Sequence, residues 1–298
     1  MTTAPPPAAD RLDGTAVYLY GVARGLDPAV LRGAAGVAGA PVRAVAAGGL
    51  TALVSTVRLA EYGEEALRAN LEDLTWLEAT ARAHHDVVDR AAHAAPTAPV
   101  RIATIYRDDA RVAEVLTARG DRFGQVLDGI AGRSEWGVKA YATPGTPHDE
   151  DEDGEDDAPH QGGTGPGAGT AYLRQRQRQR RRREDAGRLA AERAAEVHTA
   201  LAGHAAASRH HPPQDPRLSG RGAAQLLNAA YLLDEERVEG FLAAARIAAE
   251  RVTGIEVEVT GPWPPYSFID PADPADPGTA DPDPAAATGP RGPEPEDA

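Results

Sequence analysis

Apolar residues along the chain follow two kinds of period, and the first stretches have the two-residue period of strands. Residues 15–22 are rich in β-branched and aromatic side chains, so we predict a strand there. Residues 40–57 form two apolar runs that meet at Gly48-Gly49, which is the signal of a hairpin. These three segments predict that the chain begins its fold with antiparallel strands.

From Glu61 the apolar spacing changes to three and four residues, which predicts a helix that continues to about His93. The stripe is formed by Leu67, Leu71, Leu74, Leu77, Ala81, Val87, Val88 and Ala91. Residues 98–108 then predict another strand, after a proline break. Asp108 and Asp109 are suited to cap the helix that follows.

A second short helix over residues 121–131 and a strand over 134–142 complete the first block. The order of elements is therefore β, ββ, α, β, α, β. This order predicts an α+β domain over residues 15–142, with a mostly antiparallel sheet backed by helices.

A second block follows over residues 169–269. Residues 171–207 favour a helix whose polar face carries many arginines, and residues 222–234 indicate a strand. An amphipathic helix is predicted over residues 235–252, and strict alternation predicts a strand over 254–261. The second block is therefore predicted to be another small α+β domain.

Three further segments lack the apolar residues that a core requires. They are a leader over residues 1–14, an acidic and glycine-rich linker over 143–168, and a Pro/Asp-rich tail over 270–298. We expect all three to be disordered, because they bury too little apolar surface to offset chain entropy.

Composition narrows the function classes. The chain has 298 residues, a formal net charge of −14 and no cysteine, which excludes disulfides and thiolate metal sites. It shows no secretory signal and no apolar run long enough to span a bilayer, so we expect a cytoplasmic protein. The acidic balance argues against general binding of nucleic acid.

Two stretches suggest chemistry that their surroundings do not support. His85, Asp89 and His93 have metal-ligand spacing on one helical face, but no second cluster supplies further ligands, so we interpret them as an exposed polar face. The glycine-rich run at 162–169 lacks the strand, the lysine and the helix start of a phosphate-binding loop. We therefore predict no metal, no cofactor and no catalytic set.

A run of arginines is a further candidate for a binding site. Its members in the predicted helix are Arg174, Arg176, Arg178 and Arg180 to Arg183. Such a run is able to bind RNA or acidic lipid, but acidic residues flank it on both sides, and it lacks aromatic side chains that stack on bases. Charge pairing within the chain explains it more simply.

The stretch GPWPPYSF, at residues 261–268, combines stiff backbone with large rings. The residues that we assign to packing or partner contact are Gly261, Pro262, Trp263, Pro264, Pro265, Tyr266 and Phe268. The prolines favour extended geometry, so the rings lose little entropy when they dock. We expect Trp263 and Phe268 to anchor the segment in the core, with contact to a partner as the alternative.

The segment EVTGPWPPYSF resembles the C-terminal signature of gas vesicle accessory proteins of the F/L type (GvpF/GvpL). Other stretches match in order: YLYGV at 18–22, PVRIATIY at 99–106, EWGVKAY at 135–141 and GTAYLRQR at 169–176. The resemblance covers residues 15–142 and 169–269. The acidic insert, the arginine run and the Asp-Pro tail depart from it.

This resemblance implies two α+β domains with ferredoxin-like elements and no enzymatic activity. It further implies an assembly factor or minor component that binds the small hydrophobic shell subunit, limits its aggregation and contacts other accessory proteins. Neither nucleic acid, membrane nor a small-molecule substrate is expected. Two other classes stay open: a ferredoxin-like nucleic-acid binder that uses the arginine run, and a metal-dependent enzyme built on His85, Asp89 and His93.

Overall fold

The protein consists of two compact units, each with one antiparallel sheet. The structure, a computed structural model, describes residues 14–143, 168–214 and 223–269. The first unit extends to Gly129 and the second covers Ile130–Phe268. All strand pairings within both sheets are antiparallel, and helices pack against each sheet, so the predicted α+β class is confirmed. The predicted leader, linker and tail fall almost entirely outside the described residues.

The first sheet has the strand order β2-β3-β1-β4, and a short strand β5 also pairs with β1. Its strands are β1 Thr15–Arg24, β2 Val42–Ala47, β3 Leu50–Arg58, β4 Thr97–Pro99 and β5 Ile105–Tyr106. The predicted hairpin between β2 and β3 is confirmed. Gly48 and Gly49 both have positive φ, at 59° and 78°, as a two-residue turn of this kind requires.

Five α-helices lie between and after the strands of the first block. They are α1 Leu59–Tyr62, α2 Glu64–Asn70, α3 Leu74–Ala92, α4 Asp109–Ala118 and α5 Gly120–Ile130. The prediction of one helix from Glu61 to His93 is wrong, because Gly63 and Asp73 begin new helices; the Asp73 side chain accepts hydrogen bonds from the backbone of Thr75 and Trp76. Asp108 caps α4 as predicted.

Two other expectations for the first block need correction. Leu71 and Leu74, predicted to belong to the apolar stripe, are 44% and 70% exposed, because they flank the break between α2 and α3. The predicted strand over residues 98–108 is interrupted between β4 and β5. Ala103 adopts a positive φ of 65° there, and this left-handed conformation cannot continue a strand.

The second sheet has the strand order β7-β8-β6-β9. Its strands are β6 Arg133–Ala142, β7 Ala207–His210, β8 Gln225–Asp234 and β9 Ile255–Trp263. The helices of this unit are α6 Ala168–Ala202 and α7 Val238–Arg251. The predicted arginine-rich helix, the strand of 222–234, the helix of 235–252 and the strand of 254–261 therefore all form, with shifted ends.

The sequence predicts that β6 closes the first block, because it lies within residues 15–142. The structure shows that it does not. Its hydrogen-bonded partners are β8 and β9, so it lies inside the second sheet. The apolar pattern of a strand shows that the strand exists, but its partner depends on pairing with residues far along the chain. The boundary between the two units accordingly lies near Gly129.

Helices α6 and α7 pack on one face of the second sheet. The core that they share with the sheet is built around fully buried Val138, Tyr231, Phe241, Val197 and Leu201. On β6, Trp136 and Val138 point to this face, and alternation therefore directs Glu135 to the opposite face. On that opposite face Glu135 contacts the end of the GPWPPYSF segment.

Candidate functional site: the proline and aromatic ribbon

Residues 261–268, which we call the ribbon, continue the edge strand β9 further than the sequence indicates. β9 ends at Trp263, which pairs with Glu135, so the strand extends two residues beyond its predicted end at Gly261. Prolines are tolerated here because β9 is the last strand of the sheet and one side of it forms no ladder with the strands described. A 3₁₀ turn at Tyr266–Phe268 ends the ribbon.

Gly261 is required where the ribbon begins. Its φ is 137°, in the region that favours glycine. A Cβ atom at this position would lie 2.9 Å from the carbonyl oxygen of Glu135 and 3.0 Å from the ring of Trp136. The ribbon therefore passes so close to β6 that no side chain fits between them.

Two of the three prolines of the ribbon are buried, whereas its largest ring and Pro262 are exposed. Pro264 and Pro265 are buried, whereas Trp263 is 43% exposed and Tyr266 is 37% exposed. The prediction that Trp263 is buried in the core is wrong. Trp263 pairs with Glu135 and follows it to the face opposite the helices, away from the apolar core.

A buried carboxylate holds the end of the ribbon. The side chain of Glu135 accepts two hydrogen bonds from Ser267: the backbone N–H donates to Oε2 at 2.7 Å, and the hydroxyl donates to Oε1 at 2.6 Å. Burial raises the pKa of Glu135, while the two Ser267 hydrogen bonds and the nearby charges of His211 and Arg209 act in the opposite direction.

The segment around β7 contacts the ribbon from the other side. The His211 ring nitrogen Nε2 lies 3.1 Å from the Ser267 hydroxyl oxygen. Because that hydroxyl donates its proton to Glu135, His211 must donate the hydrogen bond. The Arg209 guanidinium lies 6.0 Å from the centre of the Phe268 ring, a cation–π distance. The ribbon thus runs from the edge strand β9 past β6 to residues of β7.

The first unit contains a buried polar cluster that the sequence analysis missed. The Tyr18 hydroxyl lies 3.0 Å from His84 Nδ1, and the Tyr20 hydroxyl donates to Ser55 Oγ at 2.9 Å while accepting from the backbone N–H of Val37. Burial lowers the pKa of His84 to about 4. Helical spacing from His84 to Val87, Val88 and Ala91 was the signal that it belongs to the apolar face.

The candidate metal ligands lie on the same helix α3, where His85 directly follows the buried His84. His93 Nδ1 lies 3.4 Å from Asp89 Oδ2, and the His93 side chain is 71% exposed. Within the ranges that the structure describes, no group of three or more side chains is arranged to hold a metal ion.

The second unit contains a histidine pair. His210 and His211 belong to a stretch with no periodic pattern in the sequence, and His210 ends the short strand β7. His210 Nε2 lies 3.4 Å from His198 Nε2, and His198 Nδ1 lies 2.8 Å from the Tyr231 hydroxyl. A strand of four residues is too short to leave a periodic signal in the sequence.

The described arginines of the run lie on α6 and are exposed. Arg180 pairs with Glu184 at 2.8 Å, one turn along the helix, and Arg188 pairs with Asp185 at 3.0 Å. These pairs are the intrachain charge pairing that the flanking acidic residues predict. None of the helices in the described ranges has an apolar stretch of the length that crossing a bilayer requires. The glycine-rich run at 162–169 lies almost wholly outside the described residues.

Comparison with known proteins identifies related sequences over most of the chain. The model of the family described as "Gas vesicle synthesis protein GvpL/GvpF" matches residues 16–270. Gas vesicle protein L of Streptomyces sp. (strain CB03234) is 39% identical over 251 residues, which is 84% of this chain and 91% of that protein. Gas vesicle protein F of the same strain is 27% identical over 262 residues, with 85% of this chain and 99% of that protein covered.

Solved structures show the same fold. The crystal structure of GvpF from Anabaena sp. PCC7120 matches with a TM-score of 0.58 at 18% identity, and it covers 86% of this chain and 97% of that one. GvpF from Microcystis aeruginosa matches with a TM-score of 0.57 at 15% identity, covering 85% and 98%. The matched region of the family model includes the whole ribbon.

Proposed function

Because this chain belongs to the GvpL/GvpF family of gas vesicle synthesis proteins, we propose that it binds the small apolar subunit of the vesicle shell. The protein acts by binding, not by catalysis, and it limits aggregation of the subunit while the shell is built. It works in the cytoplasm in association with gas vesicles and contacts other accessory proteins there. Membership of the family supports the accessory role in gas vesicles.

The observation that carries this proposal is the exposure of two aromatic rings on a stiff backbone. Trp263 and Tyr266 are 43% and 37% exposed, while Pro264 and Pro265 between them are buried. Large rings that are already held in place lose little conformational entropy on binding and bury much apolar surface. An apolar protein subunit is the partner that such a surface recognises.

The polar contacts near the ribbon support a binding role. The Ser267 hydroxyl donates to Glu135, and the His211 ring donates to the same hydroxyl oxygen. A catalytic serine would instead donate its proton to a histidine acting as base. The arrangement therefore fixes the ribbon in place and does not activate a nucleophile.

Co-purification tests the proposal directly. The tagged full chain is expressed together with the shell subunit, and the subunit recovered per tagged protein is measured for the wild type, Trp263→Ala and Tyr266→Ala. The matched control is Ile247→Ala, because Ile247 on α7 is 49% exposed and lies outside the ribbon.

We expect Trp263→Ala to reduce recovery of the subunit by at least tenfold, as for a central aromatic anchor, and Ile247→Ala to leave it unchanged. Circular dichroism of each variant shows whether the fold persists. Equal recovery for Trp263→Ala and the wild type would refute the role of the ribbon. No recovery even with the wild type would refute binding of the shell subunit altogether.

A further inference from the structure

The ribbon has few backbone donors with which to attach itself to the rest of the protein. Pro262, Pro264 and Pro265 have no N–H group, and the N–H of Tyr266 bonds back to the carbonyl of Pro264. The first N–H after the prolines that reaches another element is that of Ser267, which donates to Glu135. Beyond Trp263, where the strand pairing ends, attachment of the ribbon therefore depends on side chains outside it.

Glu135 is suited to this task by its place in the fold. It is only 8% exposed, and it lies on β6, next to the edge strand β9 that leads into the ribbon. Both of its oxygens are used by Ser267, a residue 132 positions later in the sequence. A buried carboxylate whose two hydrogen bonds come from one residue fixes that residue in both position and orientation.

The residues of β7 complete the attachment. His211 donates to the Ser267 hydroxyl, and Arg209 covers the neighbouring Phe268 ring. The backbone N–H of His211 in turn donates to the carbonyl of Asn228 on β8, and the Asn228 amide donates to the carbonyl of Pro212. The ribbon end is therefore fixed to both β6 and the residues that follow β7.

We propose that Glu135, Ser267 and His211 form a clamp that sets the direction in which Trp263 and Tyr266 project toward a bound apolar subunit. The inference rests on the proposed function of the ribbon and assigns to these three residues a positioning role in it. The two rings lie in the segment between Gly261, which passes against β6, and Ser267, which is clamped. Fixing both ends makes the ring positions independent of the partner and keeps the entropic cost of binding low.

Hydrogen exchange of the full-length protein without any partner tests the clamp itself. The exchange rate of the Ser267 amide is followed by mass spectrometry in the wild type, Ser267→Ala, Ser267→Thr and Glu135→Gln. We expect the amide to exchange roughly tenfold faster in Glu135→Gln, which weakens its acceptor, and clearly faster in Ser267→Ala. Ser267→Thr keeps the hydroxyl donor and should restore slow exchange. An unchanged rate in both Glu135→Gln and Ser267→Ala would refute the clamp.

The positioning role is tested by recovery of the shell subunit in the co-purification assay. We expect Ser267→Ala to lose binding by roughly tenfold while circular dichroism shows that the fold is retained, and Ser267→Thr to regain binding. Ser208→Ala is the matched control, because Ser208 is an exposed serine on β7 away from the clamp. Faster exchange together with wild-type binding in Ser267→Ala would overturn the positioning role.

These outcomes separate the clamp from the proposed function. If the wild type recovers no shell subunit, the proposed function fails and the positioning role fails with it, while the exchange rates still decide whether the clamp exists. If Trp263→Ala loses binding and Ser267→Ala does not, the ribbon binds but needs no clamp. Only loss of binding in both, with rescue by Ser267→Thr, supports the inference.

Discussion

Protonation of His84 should destabilise the first unit in mild acid. The ring is 1% exposed, and burial holds its pKa at about 4, against 6.5 for an ordinary histidine. The native state therefore favours the neutral ring, and the stability that this contributes is complete above pH 6.5. It is lost as the pH falls from 6.5 to 4, because the unfolded chain takes up the proton first.

The size of the loss follows from the two pKa values. The difference between 6.5 and about 4, at about 1.4 kcal/mol for each pH unit, gives about 3 kcal/mol. Solvent screening reduces this little, since the ring is enclosed by Tyr18, Tyr20 and the apolar residues of α3. Such a loss is a large fraction of the stability of an ordinary domain.

Urea unfolding at pH 7, 6, 5 and 4 measures the effect. A short pulse of hydrogen exchange at one fixed pH, read in peptides of β1, reports the free energy of unfolding of the first unit alone. Between pH 7 and pH 4 the free energy of unfolding of the first unit should fall by about 3 kcal/mol more in the wild type than in His84→Gln, whose side chain at position 84 cannot titrate. His93→Gln is the control, because the His93 side chain is 71% exposed. If the wild type and His84→Gln lose the same free energy of unfolding within about 1 kcal/mol, protonation of His84 is not the cause of the acid sensitivity.

Three substitutions test contacts elsewhere in the fold by thermal unfolding. Gly261→Ala should destabilise the second unit by about 2 kcal/mol or more, since its Cβ would meet backbone at 2.9 Å at a φ of 137°; an unchanged melting temperature would contradict this. Gly124→Ala should stabilise α5 by up to about 1 kcal/mol, because nothing lies within 4 Å of the added Cβ, and a loss of stability would show unseen crowding. Tyr20→Phe should cost about 1 to 3 kcal/mol by leaving the buried N–H of Val37 without its acceptor, whereas a neutral effect would mean that another group replaces it.

Local signals in the sequence predicted local structure well. The hairpin at Gly48-Gly49 and the cap at Asp108 depend on residues within a few positions, and both were confirmed. The strand β6 was predicted at nearly its full length, but its partners were not. Pairing with β8 and β9 is decided by contacts over more than 80 residues, and one sequence without relatives does not reveal such contacts.

The ribbon illustrates the same limit at the functional site. Its prolines and rings marked it as unusual, and its composition predicted a stiff backbone. The exposure of Trp263 follows from pairing with Glu135 on β6, and the clamp joins Glu135 to Ser267 across 132 positions. His84 was missed for a different reason. Its neighbour His85 fits a metal-ligand spacing with Asp89, whereas His84 itself lies on the apolar face of the same helix.

Site-specific photo-crosslinking in cells that are building vesicles shows most directly whether the ribbon contacts the shell subunit. A photoreactive phenylalanine derivative replaces Tyr266 on the ribbon in the full chain, and in a second strain it replaces Ile247, whose exposure is similar. We expect a crosslink between position 266 and the shell subunit and little or none from position 247. A crosslink to the shell subunit from position 247 with none from position 266 would contradict it.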